Sequence, residues 1–267
     1  MKLQDVLMKN KALALADVAK DAELTKQIQI RLRELQMPIG EPDGRFGPIT
    51  NAAFVRFAQA FKEAGTVLSP TIAKQLIQAR TIPGIKNPLL ELLLPERVAG
   101  LIPNASLGDV KKYLPEVLKA LDEHTILERL TLVATLGTIG VETGGFRPIN
   151  EFGGTDYFKE QYEGRSDLGN TQPGDGARYH GRGFIQITGR ANYREYGKRL
   201  NVKLEENPEL GLDAKIAAQI LALYFVDRGV NKAAQNQDWE KVRRLVNGGL
   251  NGWDEFSAIV EKALKAI

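Results

Sequence analysis

Cysteine does not occur in the 267-residue chain, which excludes disulfides and cysteine-ligated metal or redox sites. Histidine is nearly as scarce. His124 and His180 are the only two and stand far apart, a poor basis for a zinc site built on paired histidines. A Ser-His-Asp triad would have to use one of them, and both read otherwise as surface or satisfied core residues. No apolar run approaches the length of a membrane-spanning helix. Met1 to Lys9 contain Asp5 and no apolar core of signal-peptide length, so the expectation is a product made in the cytoplasm. Charge of one sign is also in short supply. Lys and Arg total 36 against 33 Asp and Glu, without the dense basic patch of a nucleic-acid binder. The small excess falls early, with 12 basic against 8 acidic residues over positions 1–80, which suits an anionic polymer surface.

What is present reads as a mainly α protein in two parts. Leu24, Ile28, Leu32 and Leu35 repeat at helical spacing over residues 23–36, and Pro38 ends that run. A turn cluster, Gly40 to Pro48, follows. Thr50 or Asn51 is placed to cap a second helix with the stripe Ala53, Phe54, Phe57, Ala60 and Phe61. Ser69-Pro70 opens a third, carrying Ile72, Leu76 and Ile77. Three short helices around one small core make a module over residues 1–80. Residues 81–94, with Pro83-Gly84 and Asn87-Pro88, read as a linker, and residues 95–267 as a second domain.

The second domain is organised around Ile139 to Phe146. An apolar run from Ile126 to Val141 leads into it at helical spacing, and off-stripe apolar residues mark the helix as buried on most sides. Glu142 closes the run, and Gly144-Gly145 breaks the helix. An apolar wall and the negative end of the helix dipole both disfavour a charged carboxyl there, as a general acid near neutral pH requires. The alternative is a helix-end glutamate facing water. Beyond it lies a long polar, glycine-rich stretch, Asn150 to Tyr193. It holds Glu151, Glu163, several amides and aromatic rings, a lining suited to a carbohydrate cleft. Gly181-Arg182-Gly183 lacks the Gly-Lys-Ser/Thr that a phosphate loop needs.

Two resemblances follow from these residues. Ile28-Gln29, Leu32 and Leu35, then Asp43-Gly44-Arg45-Phe46-Gly47-Pro48-Ile49-Thr50, then Ala53 and Phe57, resemble the three-helix peptidoglycan-binding module, although Ala58 stands where the family usually has Phe-Gln directly. Leu101 to Ala105, Val141 to Phe146, Tyr162 to Arg165, Gly181 to Tyr193 and Val246 to Gly252 resemble glycoside hydrolase family 19, the chitinase-like family that includes endolysins.

The second resemblance implies a two-lobed, lysozyme-like, α-rich domain with a small β element near Phe184–Thr188. It implies Glu142 as general acid and Glu163 as the base that activates water, with Glu151 as rival for that role. Thr188 would help hold the water, and Gln186, Asn192 and Asn247 would contact the sugar chain. The family inverts, which needs acid and base about 6.5–9.5 Å apart. Asp254-Glu255 stands where family members often carry Asp-Arg. Trp239 and Trp253 could stack on sugars or anchor the core.

The expectation is therefore an endolysin-type glycosidase that needs no cofactor, acting as a monomer on cell-wall peptidoglycan. Chitin is the alternative substrate, and a non-catalytic wall-binding protein the reading from another class.

Overall fold

The computed structural model describes residues 1–267, with sixteen α-helices and four two-residue strands. Backbone contacts divide the chain into two units. Met1–Leu94 with Glu261–Ile267 form the first, and Pro95–Val260 the second.

The first unit is built on helices Ala22–Glu34, Pro48–Ala60 and Pro70–Gln78. Asp21 caps the first by accepting from the Leu24 amide at 3.0 Å, and Ser69 caps the third through Ile72 at 3.1 Å. The middle helix starts earlier than its polar residues suggested. Gly47 is its N-cap and Pro48 its first residue, so neither Thr50 nor Asn51 caps it. Thr50 is instead buried against Gln29. Leu24, Ile28, Leu32, Phe54, Phe57, Ile72 and Leu76 fill one apolar core. Helix Leu3–Lys9 adds Leu3 and Val6, and Leu13–Ala14 pairs antiparallel with Val67–Leu68.

Part of the segment read as a linker belongs to this core: Ile82 and Ile85 are buried in it and Leu92 packs against it. Leu89 and Leu93 are buried as well, and Pro88–Leu92 forms a short helix capped by Asn87. Proline and glycine there shape a packed turn rather than a free tether.

Gln29 explains the Asp43-to-Thr50 motif. Only 2% exposed, its side-chain amide donates to Asp43 at 2.9 Å and to the Arg45 carbonyl and Thr50 hydroxyl at 3.1 Å each. Its carbonyl accepts from the Gly44 amide at 2.8 Å. Gly44 has φ +76°, and a Cβ there would lie 2.9 Å from the Ala22 carbonyl oxygen, so the turn needs glycine. The Gln29 bond, then the Arg45 amide, hold the Asp43 carboxyl below its ordinary value.

The second unit surrounds helix Arg129–Thr143, in which Thr131 to Gly140 are buried without a break. The helix begins at Arg129, later than the apolar run implied. Gly137 and Gly140 let another helix approach closely: added Cβ atoms would lie 2.8 Å from the Phe256 ring and 2.5 Å from Ile259. Helices Leu107–Glu123 and Ala214–Arg228 pack on each other, and helices Val230–Gln235 and Trp239–Asn247 pack on the central one. The β element is Ile149–Asn150 paired antiparallel with Arg182–Gly183. It thus falls just before the expected Phe184–Thr188, which forms the following turn, closed by a bridge between Arg182 and Ile187.

Replacing Gln29 with leucine keeps the volume but leaves the Gly44 amide and Thr50 hydroxyl without this partner. The expected cost is about 2–3 kcal/mol. It is read as lost amide-exchange protection across Ala22–Glu34 and Pro48–Ala60 in the full chain. Unchanged protection would remove Gln29 from this role.

Candidate active site

Glu142 lies in the last turn of helix Arg129–Thr143, and Gly144 ends that helix in the left-handed region at φ +60°. The apolar wall is present, but a cation comes with it. Arg243, from helix Trp239–Asn247, donates through Nη1 to Glu142 Oε1 at 2.5 Å and through Nε to the Asn251 carbonyl at 2.7 Å. The Glu142 side chain is 15% exposed and that of Arg243 only 2%. A charge buried that deeply needs a partner, and Glu142 supplies it.

Gly252 closes the arrangement. At φ +73°, with an added Cβ only 2.6 Å from Val141, it lets the 248–252 loop lie on the end of Glu142's helix. Tyr224 ties the same region by donating to the Leu245 and Val246 carbonyls at 3.1 Å each. Asn247 stands exposed one helical turn beyond Arg243.

Glu151 follows the Ile149–Asn150 strand. Its amide donates to the Gly181 carbonyl at 2.8 Å, and Oε2 accepts from the Gly181 amide at 2.9 Å. Oε1 accepts from the Tyr162 hydroxyl at 2.6 Å. Burial, then this carboxylate, push the Tyr162 phenol far above its ordinary range, so the hydroxyl stays a donor.

Gln186, at φ +52°, donates to the Ile149 and Gly183 carbonyls at 3.0 and 2.9 Å. Its own oxygen is turned toward Glu151: Glu151 Oε2 and Gln186 Oε1 lie 3.0 and 3.1 Å from where a Cβ on Gly181 would stand. Glycine at 181 keeps that space open. Thr188 donates to the Gln186 carbonyl at 3.0 Å, and Asn192 to the Thr188 carbonyl at 2.7 Å. The β element and its turn thereby group Glu151, Gln186, Thr188 and Asn192.

Glu163 stands apart from that group. It is exposed, and its two oxygens accept from the amides of Gly174 and Gly176 at 2.6 and 2.7 Å. A Cβ at Gly176 would lie 2.6 Å from the Glu163 amide, so this close approach requires glycine. The loop is fixed further by Asp175, which is 1% exposed. Burial opposes its charge, yet the Arg190 guanidinium prevails and holds the carboxyl below its ordinary value. A recess of about 720 Å³ lined by Asp175, Arg178, Tyr179, Arg190 and Glu205 lies here, and none of Glu142, Glu151 and Glu163 lines it.

His180 packs flat on Phe158, with ring centroids 4.2 Å apart and planes 6° from parallel. Nδ1 lies 2.7 Å from the Ala177 carbonyl and Nε2 3.3 Å from Asn150 Oδ1. Arg243, Tyr162 and His180 were all missed as site residues in the sequence. Arg243 lies 101 positions from its partner, and no local pattern marks it.

The comparisons with known proteins agree with this architecture. No family model matches the chain. Over 97 residues it is 39% identical to a glycosyl hydrolase family 19 domain-containing protein of Haemophilus influenzae, covering 35% of this chain and 45% of that relative. The match thus spans less than half of that relative's length.

Three solved structures share the fold over about two thirds of the chain. A mutant of chitinase C gives a TM-score of 0.53 at 22% identity, over 67% of this chain and 95% of that one. Chitinase C from Streptomyces griseus gives 0.51 at 22%, over 64% and 91%. A bacterial family 19 chitinase gives 0.50 at 20%, over 64% and 94%. The fold is the α-rich, lysozyme-like one of a chitinase-like glycoside hydrolase. In sequence the chain is similar, over 97 residues, to a glycosyl hydrolase family 19 domain-containing protein, and in fold to family 19 chitinases.

Burial leads the lowering of the His180 pKa, and the Arg182 charge adds to it against the Ala177 carbonyl, Glu151 and Glu209. The folded state then binds its proton later than the unfolded chain, whose histidine titrates near 6.5. Stability should fall as pH drops below about 6.5, until the folded-state pKa is passed. Thermal midpoints of wild type and His180→Gln, compared between about pH 7.5 and 5, should diverge, with the wild type losing more. Parallel curves would show that His180 contributes no such slope.

Proposed function

We propose that the chain is an endolysin-type glycoside hydrolase that cleaves β-1,4 bonds in the N-acetylated glycan of peptidoglycan. The observation that carries this reading is the Glu142–Arg243 pair: a carboxyl at the mouth of a buried helix, held by an arginine that has no other carboxylate. Glu142 gives its proton to the leaving oxygen, and Arg243 receives the carboxylate that remains. The fold shared with chitinases and the 39% identical stretch support the reaction class.

For the base, the geometry favours Glu151 over Glu163. Glu151 Oε2 and Gln186 Oε1 both border Gly181, 3.0 and 3.1 Å from where a Cβ would stand, so two acceptors lie close together there. Thr188 stands two residues on. Glu163, held by two rigid backbone amides, is the lock of the 163–176 loop. Water then attacks the anomeric carbon directly, with inversion. Gln186, Asn192 and Asn247 contact the sugar chain. The first unit, with its resemblance to a peptidoglycan-binding module, holds the enzyme on an insoluble wall and raises its local concentration there.

Glu142→Gln keeps an oxygen to accept from Arg243, so it should fold, as circular dichroism checks. It should lose about 10²–10⁴ in wall-hydrolysis rate. Glu151→Ala should lose a comparable amount, and Glu163→Ala less. Near-normal turnover by folded Glu142→Gln would end the assignment, and a dead Glu163→Ala beside an active Glu151→Ala would exchange the two roles.

A second reading, chitin hydrolysis, draws on the chitinases that share the fold. Peptidoglycan differs from chitin by a lactyl ether and peptide on alternate sugars. The resemblance of the first unit to a peptidoglycan-binding module favours the wall glycan over chitin. Reducing-end release should therefore be faster from peptidoglycan than from a chitin hexamer at matched glycan concentration. The reverse order would select the chitinase.

A further inference from the structure

Phe152 directly follows Glu151 and is 87% exposed, the highest value among the exposed large apolar side chains. A single exposed apolar residue is ordinary on a protein surface. This one stands on backbone that is fixed on both sides. Before it, the Glu151 amide is bonded to Gly181. After it, Gly153 lies so close to two rings that an added Cβ would be 2.5 Å from Tyr157 Cδ1 and 2.8 Å from Phe158 Cε1. Phe158 is itself buried, flat against His180 and edge-on to Tyr157 at 5.6 Å. Tyr157 remains 45% exposed. The loop is thus tied to an aromatic cluster while the Phe152 ring is left in solvent.

We propose that Phe152, with Tyr157 beside the same glycine, forms a stacking subsite for a pyranose ring of the glycan next to Glu151. This rests on the glycosidase reading above. A β-1,4-linked N-acetylated sugar presents a face of C–H groups, which a flat apolar ring covers. Phenylalanine has no polar tip, so the contact reads the ring face and not the hydroxyls or the lactyl ether. The subsite therefore positions the chain over Glu151 whether or not a peptide stem is attached. An anchored backbone makes it effective, because little motion is lost when the sugar binds.

The test is a binding measurement independent of turnover. Full-length Glu142→Gln, titrated with a β-1,4 N-acetylglucosamine hexamer in a calorimeter, is compared with the same protein also carrying Phe152→Ala, Phe152→Leu or Phe152→Trp. Alanine and leucine should weaken binding about tenfold, and tryptophan should restore it. In the active protein, Phe152→Ala should show its loss in KM rather than kcat on purified walls. Equal affinity for the alanine variant, full affinity for leucine, or no hexamer binding by the parent would each overturn the stacking subsite. Failure of the glycosidase reading has a different signature, undiminished turnover by folded Glu142→Gln.

Discussion

The ion pair between Arg243 and Glu142 is the constraint on which the second unit depends. An arginine 2% exposed is costly unless every part of its fork is answered, and here a carboxylate and the Asn251 carbonyl answer it. The pair joins the end of helix Arg129–Thr143 to helix Trp239–Asn247 and to the loop ending at Gly252. Removing one partner of such a pair costs about 3–5 kcal/mol, because the other charge stays buried. The proposed role of Glu142 as proton donor would couple function to stability there, because a donor spends part of its cycle neutral and Arg243 then lacks its counter-charge. The close packing at Gly137 and Gly140 keeps the helix in place meanwhile.

Backbone rather than side-chain volume positions the Glu151 group. Ile149–Asn150 and Arg182–Gly183 form only two residue pairs, too few to hold a sheet alone. Arg182 compensates from beneath. It is 5% exposed and donates to Glu209 at 2.7 Å, to the carbonyls of Arg178 and His180, and to the Tyr193 hydroxyl. Tyr193 in turn donates to the His180 carbonyl at 2.7 Å. Burial pushes the Tyr193 phenol up to about 12, so it remains a hydroxyl donor at any working pH. This network fixes residues 178–193, and Gly181 and Gln186 inherit their positions from it.

The helices and their cores were legible because periodicity and punctuation are local signals. Asp21, Ser69 and Gly144 end their helices for reasons visible within a few residues. Gly47-Pro48 was visible too, but Thr50 looked like the better cap because its burial against Gln29 is a tertiary fact. The supposed linker failed for a related reason: Pro83-Gly84 and Asn87-Pro88 mark turns, and turns can be packed as well as free. Glu142 stands out in the sequence from the helix that ends in it; its pairing with Arg243 does not, since the two lie 101 residues apart.

The two candidates for the base show why composition alone leaves the role open. Glu151 and Glu163 are both loop carboxylates in a polar, glycine-rich segment, and each accepts two hydrogen bonds. The donors differ in kind. Glu163 is bound by two backbone amides at the start of helix Asp175–Arg178, and its removal would free the loop that Asp175 and Arg190 brace from the other side. Glu151 is bound by one amide and by a tyrosine hydroxyl that can rotate with the proton inventory of the carboxylate. A base must accept a proton from water, and a carboxylate whose partners can rearrange does so at lower cost than one held by rigid amides. On the proposed reading, the carboxylate that organises the loop and the one that meets the water are different residues.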